Sequence, residues 1–214
     1  MKIGILGTGM VGQGLADKLI SLGHSVRMGA RQANNANAAA FVARHSQNAF
    51  SGTFSEAAAF GELLIVATTG TTALQVLDAA GEANLAEKIV IDVSNPLDFS
   101  QGFPPTLLVS NSDSLAEQLQ RAHPAAKIVK TLNTTNVGMM VNPQQLNQAT
   151  DVFVSGNDAA AKAQVIALLK SFGWQDPIDL GDISTARCTE MLLPLWLRLW
   201  TVQGSPIFNF KIVR

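Results

Sequence analysis

The sequence predicts an α/β protein built on a doubly wound, mostly parallel sheet. Short apolar runs alternate along the chain with stretches of helical spacing, and several runs are apolar at consecutive positions, as strands covered on both faces must be. The runs are Lys2 to Leu6, Ser25 to Met28, Leu63 to Ala67, Lys88 to Val93, Lys127 to Leu132 and Asp151 to Val154. After the first, Leu15, Leu19 and Ile20 form a helical stripe that Gly23 terminates. Ala160 to Phe172 repeats the device, with Val165, Leu168, Leu169 and Phe172 apolar and Gly173 following. From Asp182 onward the pattern is helical, with Met191, Leu192, Leu195, Trp196, Leu199 and Trp200 apolar and Leu193 and Leu197 apolar on the other side. A helix apolar nearly all round needs two contact faces, so it is expected to bury one against its own chain and one against a second copy. Pro194 either kinks it or separates two shorter helices. The expected division is a main domain over residues 1–181 and a small C-terminal helical segment over residues 182–214.

Composition narrows the function classes. A chain of 214 residues, 47% of them hydrophobic, buries roughly 70% of its extended surface and needs neither disulfides nor a structural metal. Fifteen basic residues against sixteen acidic ones give a net charge of -1, which argues against nucleic acid and against a membrane surface as partners. The single cysteine, Cys188, excludes an internal disulfide and a multi-cysteine zinc site, and a cytoplasmic location is expected. The opening MKIGILGTG lacks the apolar stretch of ~7 to 15 residues that a secretion signal carries. The apolar MLLPLWLRLWTV is interrupted by Pro194 and Arg198 well short of the ~18 residues of a spanning helix.

The motif that carries chemistry is G-x-G-x-x-G, formed by Gly7, Gly9 and Gly12 directly after the first strand and at the opening of the first helix. The first glycine permits a tight turn, the second lets a diphosphate approach the backbone, and the third allows helix and strand to pack closely. The helix start adds unpaired N–H groups and partial positive charge. An NAD site places an acid about 20 residues further on, to bond the ribose 2'-hydroxyl. No acidic residue occurs between Asp17 and Glu56, whereas Arg31 follows the second strand. A guanidinium there binds a 2'-phosphate that an acid would repel, so NADP is expected over NAD.

The ordered segments GTGMVGQGLADKLISLGHSV, GAR, VIDVSNPL, VKTLNTT, FVSGND and DLGDISTARCTEMLLPLWLRLW resemble the NADPH-dependent reductases of coenzyme F420, a deazaflavin. The related dinucleotide-binding enzymes and the oxidoreductase domain of the STEAP metalloreductases share the likeness, which spans almost the whole chain. The resemblance implies a Rossmann-type domain carrying NADPH, a C-terminal helical portion that helps form the acceptor site, and a homodimer. Carried over residue by residue, it makes Thr8, Met10 and Val11 neighbours of the diphosphate. It gives Arg31 the 2'-phosphate, with Ala30 and Gln32 beside it. Thr68 and Thr69, Ser94, Asn95 and Pro96, and Asn133 and Thr134 follow successive strands, at the carboxyl ends where open α/β sheets bind ligands. They are expected to surround the nicotinamide and its acceptor; each taken alone also suits a turn or helix cap. The chain departs from the family pattern in having Ala30 where a serine is expected, no second basic residue soon after Arg31, and Thr-Thr-Gly without the expected loop proline.

Hydride transfer between a nicotinamide and a flavin-like ring depends on stacking the two rings, so no catalytic side chain is assigned and no protein acid or base is obligatory. His24, His45 and His123 all lie away from predicted strand carboxyl ends, and the region of Lys162 and Lys170 lacks the glycine-rich approach of β-hydroxyacid dehydrogenases. Cys188 reads as a small buried hydrophobe. Trp196, Trp200, Met139 and Met140 suit either core or an acceptor wall. The expected activity is NADPH-dependent hydride transfer to an F420-like deazaflavin, a flavin or another small acceptor. The alternative is a non-catalytic NADP(H)-binding sensor.

Overall fold

The computed structural model describes residues 1–45 and 47–213. Strand β1 (Lys2–Leu6) leads into helix α1 (Met10–Ser21), and the alternation continues through β2 (Ser25–Ala30), α2 (Ala36–Arg44), β3 (Ala49–Thr53), α3 (Phe54–Phe60) and β4 (Leu63–Val66). A 3-10 turn (Gly70–Thr72) then opens α4 (Ala73–Ala80), followed by α5 (Glu82–Leu85), β5 (Ile89–Asp92) and the short hairpin of β6 (Leu97–Asp98) and β7 (Thr106–Leu107). The chain continues through α6 (Leu115–Ala122), β8 (Lys127–Thr131), α7 (Val137–Val141), β9 (Phe153–Gly156), α8 (Ala159–Phe172) and β10 (Ile178–Gly181). Two helices, α9 (Ala186–Met191) and α10 (Leu193–Gln203), complete it.

The main sheet runs β10-β9-β8-β5-β4-β1-β2-β3. Its first six strands in chain order are parallel; β9 pairs antiparallel with β8, and β10 is parallel to β9. This is a Rossmann-type, doubly wound sheet whose winding reverses between β1 and β4, and that reversal opens a crevice at the strands' carboxyl ends. The consecutive apolar runs have the anticipated cause. In β4, Leu63 and Ile65 face one core layer while Leu64 and Val66 face the other. The first layer packs α1, α2 and α8 through Leu15, Phe41 and Val165; the second packs α4 and α6 through Leu77 and Leu119.

A third, smaller cluster joins Leu193, Trp196 and Leu197 of α10 to Leu97 and Leu107 of the hairpin and to Phe208 and Phe210 of the tail. Trp196 stacks on Phe208 with ring centroids 5.4 Å apart. Pro194 sits in the first turn of α10, where its missing N–H removes no helix bond, so the C-terminal pattern is two helices rather than one. Among the described residues one face of α10 is covered and the other is not: Leu195, Trp200 and Val202 are exposed.

Cys188 is exposed on α9 and is no core residue, because that helix turns Ala186, Thr189 and Glu190 inward instead. Met139 and Met140 are buried core, as is Trp196. Strands β3 and β10 have too few bulky residues to stand out as apolar runs. Strand β3, with Phe50 its one large side chain, is made a strand by its parallel pairing with β2.

Two ion pairs brace helix α6, one between its last turn and the residue before its N-cap and one that ties it to α9. Arg121 bonds both carboxylate oxygens of Asp113 at 2.9 and 2.8 Å, and Arg187 Nε donates to Glu117 at 2.8 Å. The Arg121 guanidinium holds the Asp113 carboxyl down to about 2, and Arg187 holds Glu117 below its usual range. Both groups are more acidic in the folded chain than their ordinary values of 3.8 and 4.5. Their contribution to stability is therefore complete above those values and lost as pH falls through the folded ones. Urea midpoints followed between about pH 5 and pH 2 should drop in the wild type, and Asp113→Asn should flatten part of that drop.

Candidate functional site

The glycine loop is built by three different constraints. Gly7 leaves β1 at φ +130, and a Cβ there would lie 2.3 Å from the Ala67 carbonyl oxygen. A Cβ on Gly12 would lie 2.4 Å from the Gly7 carbonyl oxygen, so α1 rests directly on the loop. Gly9 differs from both: its backbone is ordinary extended chain (φ -76), and a Cβ there would meet nothing within 4 Å. Its missing side chain leaves room outside the loop. Helix α1 starts at Met10 with no side-chain cap and no acid in its first turn, leaving its first amides without intrahelical acceptors. Gln13 steadies the turn by donating to the Thr8 carbonyl at 3.0 Å. Met10 is exposed and Val11 is half-buried against the core.

From this loop a cavity of about 430 Å³ extends along the ends of β2, β3 and β4. Of the residues singled out from the sequence, Gly7, Thr8, Ala30, Arg31 and Thr68 line it; Asn35, Thr53, Phe54, Thr72 and Gln75 also do. Thr53 and Phe54 come from β3 and the start of α3, whose positions depended on a strand with no apolar signature, and the others come from the starts of α2 and α4. Among the described residues Arg31 is the single charged one in the lining and is exposed, and Gln32 lies outside the lining. The Thr68 hydroxyl is buried without a hydrogen-bond partner. These donors suit a phosphorylated dinucleotide. Uncapped amides and open space over Gly9 meet a diphosphate, and a guanidinium with no neighbouring carboxylate in the lining meets a further phosphate.

The ends of β4, β5 and β8 lie together on the other side of the switch point. A Cβ on Gly70 would lie 2.1 Å from the Asn95 carbonyl oxygen and 2.9 Å from Pro96 Cα, so the two loops touch. The Thr69 hydroxyl is bonded to those of Thr71 and Thr72 at 3.1 and 3.0 Å. Asn95 and Asn133 form a reciprocal pair: Asn95 Nδ2 donates to the Asn133 carbonyl at 2.9 Å, and Asn133 Nδ2 donates to Asn95 Oδ1 at 3.0 Å. Asn133 Nδ2 also reaches the Thr189 carbonyl on α9 at 3.1 Å, and Thr134 is buried beside it in sequence. The Ser94 hydroxyl is directed inward, donating to Asp92 Oδ1 at 2.5 Å.

Beneath these loops lies a buried charge cluster that the sequence reading did not identify. Lys130 Nζ sits 2.8 Å from Asp92 Oδ2 and 2.8 Å from Glu190 Oε1, with all three side chains at or below 1% exposure. Glu190 also accepts from the backbone N–H groups of Leu115 and Ala116 at the start of α6, at 2.8 and 3.1 Å. Burial pushes the Lys130 ammonium down, but Asp92 and Glu190 more than compensate and its pKa is raised. The available signal was a charged residue at the inner end of each of two apolar runs, IVID and KIVK.

Comparison with known proteins places the fold and the site in context. The family described as NADP oxidoreductase, coenzyme F420-dependent, matches residues 2–96. The F420-dependent NADP reductase of Methanocaldococcus jannaschii is 31% identical over 209 residues, covering 93% of this chain and 92% of the relative. The metalloreductase STEAP3 of Rattus norvegicus is 30% identical across 91% of this chain, which spans 38% of that relative's length. Among solved structures, a candidate F420-dependent NADP reductase from Arthrobacter sp. FB24 superposes with a TM-score of 0.95 at 52% identity, each chain fully covered. No helix among the described residues is long and apolar enough to cross a membrane.

Two outcomes test this geometry. Gly9→Val should keep the wild-type thermal midpoint and lose NADPH affinity by about tenfold or more in calorimetry, whereas Gly12→Val should lower the midpoint. Lys130→Met leaves two carboxylates facing each other in the core and should cost about 3–5 kcal/mol in urea denaturation. Lys170→Met, at an exposed position, should stay within about 0.5 kcal/mol.

Proposed function

This chain belongs to the coenzyme F420-dependent NADP oxidoreductase family and is an NADP-dependent oxidoreductase; from that premise we propose that it passes hydride between NADP(H) and a small electron acceptor. The acceptor class is a deazaflavin of the F420 type or a flavin. The observation that carries this reading is the cavity that runs from the glycine loop to Arg31 with no acidic residue in its lining.

In this reading Gly7, Thr8, Gly9, Met10, Val11 and Gly12 hold the diphosphate through backbone amides, and Arg31 donates to the 2'-phosphate with Ala30 and Gln32 on either side. Thr68, Thr69, Ser94, Asn95, Pro96, Asn133 and Thr134 border the nicotinamide and the acceptor. NADPH supplies the hydride when bound, so the chain's task is to orient two rings and keep water from between them. Ser94 contributes through its backbone, since its hydroxyl is held by Asp92. Residues 182–214 complete the acceptor side, and the exposed Leu195, Trp200 and Val202 of α10 form the contact of a homodimer.

Replacement of Arg31 by Ala tests the cofactor assignment. The dissociation constant for NADPH should rise by about tenfold, the lower end of the range for a charge-assisted bond at an exposed site, while that for NADH stays unchanged. An equal effect on both nucleotides overturns the 2'-phosphate role. Stopped-flow oxidation of bound NADPH with F420-type deazaflavin and FMN tests the reaction, and binding without turnover overturns it in favour of a sensor.

A further inference from the structure

We infer that Lys130 is a positioning residue for hydride transfer, its ammonium holding in place the backbone from which the Asn95–Asn133 amide pair hangs. This rests on the reading above, in which the ends of β5 and β8 border the nicotinamide and the acceptor. Lys130 is 1% exposed and cannot touch a ligand, so it acts only through what it holds.

An ammonium has three N–H donors. Those of Lys130 are matched by Asp92 Oδ2 at 2.8 Å, the Ser94 carbonyl at 2.7 Å and Glu190 Oε1 at 2.8 Å. Asp92 and Ser94 lie just before Asn95 in the chain, and Glu190 lies on α9 beside a group that Asn133 bonds. Ser94 immediately precedes Asn95, and Glu190 immediately follows Thr189, whose carbonyl accepts from Asn133. Along its own strand, Lys130 is separated from Asn133 by Thr131, which bonds the Phe153 carbonyl at 2.7 Å, and by Leu132. Leu132 adopts φ +62, a left-handed conformation that a leucine enters only when its surroundings enforce it. The ammonium thus ties β5, β8 and α9 to one point, and each asparagine of the pair is held within a few bonds of that point.

Stability alone does not account for such a group, because buried ion clusters can often be replaced by apolar residues of similar volume at no loss. What an apolar side chain cannot reproduce is three directed bonds that set the orientation of a neighbouring loop. Hydride transfer is sensitive to that orientation: a displacement of about 1 Å between reacting groups can cost about a hundredfold in rate.

The test compares wild type with Lys130→Met, Asp92→Asn, Asn95→Ala and Lys130→Met/Asn95→Ala, each saturated with NADPH. Three quantities are read: the NADPH dissociation constant, the single-turnover oxidation rate with F420-type deazaflavin or FMN, and side-chain amide exchange of Asn95 and Asn133 by 15N NMR. For Lys130→Met the dissociation constant should stay within about twofold, the rate should fall about tenfold or more, and both amides should exchange about tenfold faster. Asn95→Ala should slow the rate similarly, and the double variant should be no slower than the slower single one. Where Lys130→Met does not fold, Asp92→Asn, which preserves shape and the Lys130–Glu190 contact, is judged by the same rate and exchange criteria. An unchanged rate per loaded molecule, unchanged amide exchange, or additive losses in the double variant each overturn the proposal alone. Wild-type protein that binds NADPH and oxidises it with neither acceptor overturns the functional reading, and the proposal with it.

Discussion

A single ammonium in the core, that of Lys130, constrains more of this molecule than any other contact. Removing a charge of either sign from water costs several kcal/mol unless it is paired and fully hydrogen-bonded. That requirement fixes where four elements can lie. Asp92 must come from β5, Lys130 from β8 and Glu190 from α9, and the excess negative charge of two carboxylates on one ammonium is met by backbone amides at the start of α6. A shift of any one of these elements would leave a charge unpaired in the interior. The C-terminal region is therefore joined to the sheet at α9 by this charge cluster together with the buried Ala186, whereas α10 packs on the β6–β7 hairpin and on Phe208 and Phe210.

The two sides of the crevice are built differently, and the difference suits the roles proposed for each. Around the glycine loop the chain leaves space and unpaired amides, with an exposed arginine at the rim; a phosphate is recognised by charge and by exposed N–H groups, so an open construction suits one. At the ends of β4, β5 and β8 the polar groups are already bonded to one another: Thr69 to its neighbours, Ser94 to Asp92, Asn95 to Asn133. Such groups cannot easily reorient around a ligand. A pre-set arrangement suits chemistry in which the cofactor supplies the reactivity and the protein supplies geometry.

Much of the crevice was legible from local sequence. The three loop glycines stand at the spacing that strand and helix demand, with Gly12 answering to Gly7 five residues away, and the lack of an acid after β2 is visible without any structure. Thr53, Phe54 and Gln75 were not legible, because they enter the cavity only through the placement of β3 and α4, and β3 carries one bulky residue in five. Cys188 illustrates the opposite error: an apolar-looking segment suggested burial, but α9 has a polar inner face, with Glu190 and Thr189 turned to the core.

By itself the sequence determined the layered α/β class, the places of six of the main strands, the glycine loop and the basic residue beyond it, since periodicity, glycine spacing and the sign of a charge are local properties. Tertiary structure alone decided that Asp92, Lys130 and Glu190 meet, that Asn95 and Asn133 pair, and that α10 keeps one apolar face uncovered. Those outcomes depend on residues 38 to 75 positions apart being brought within hydrogen-bonding distance. No local pattern encodes such a meeting; it follows from strand order and from the cost of leaving a buried charge alone.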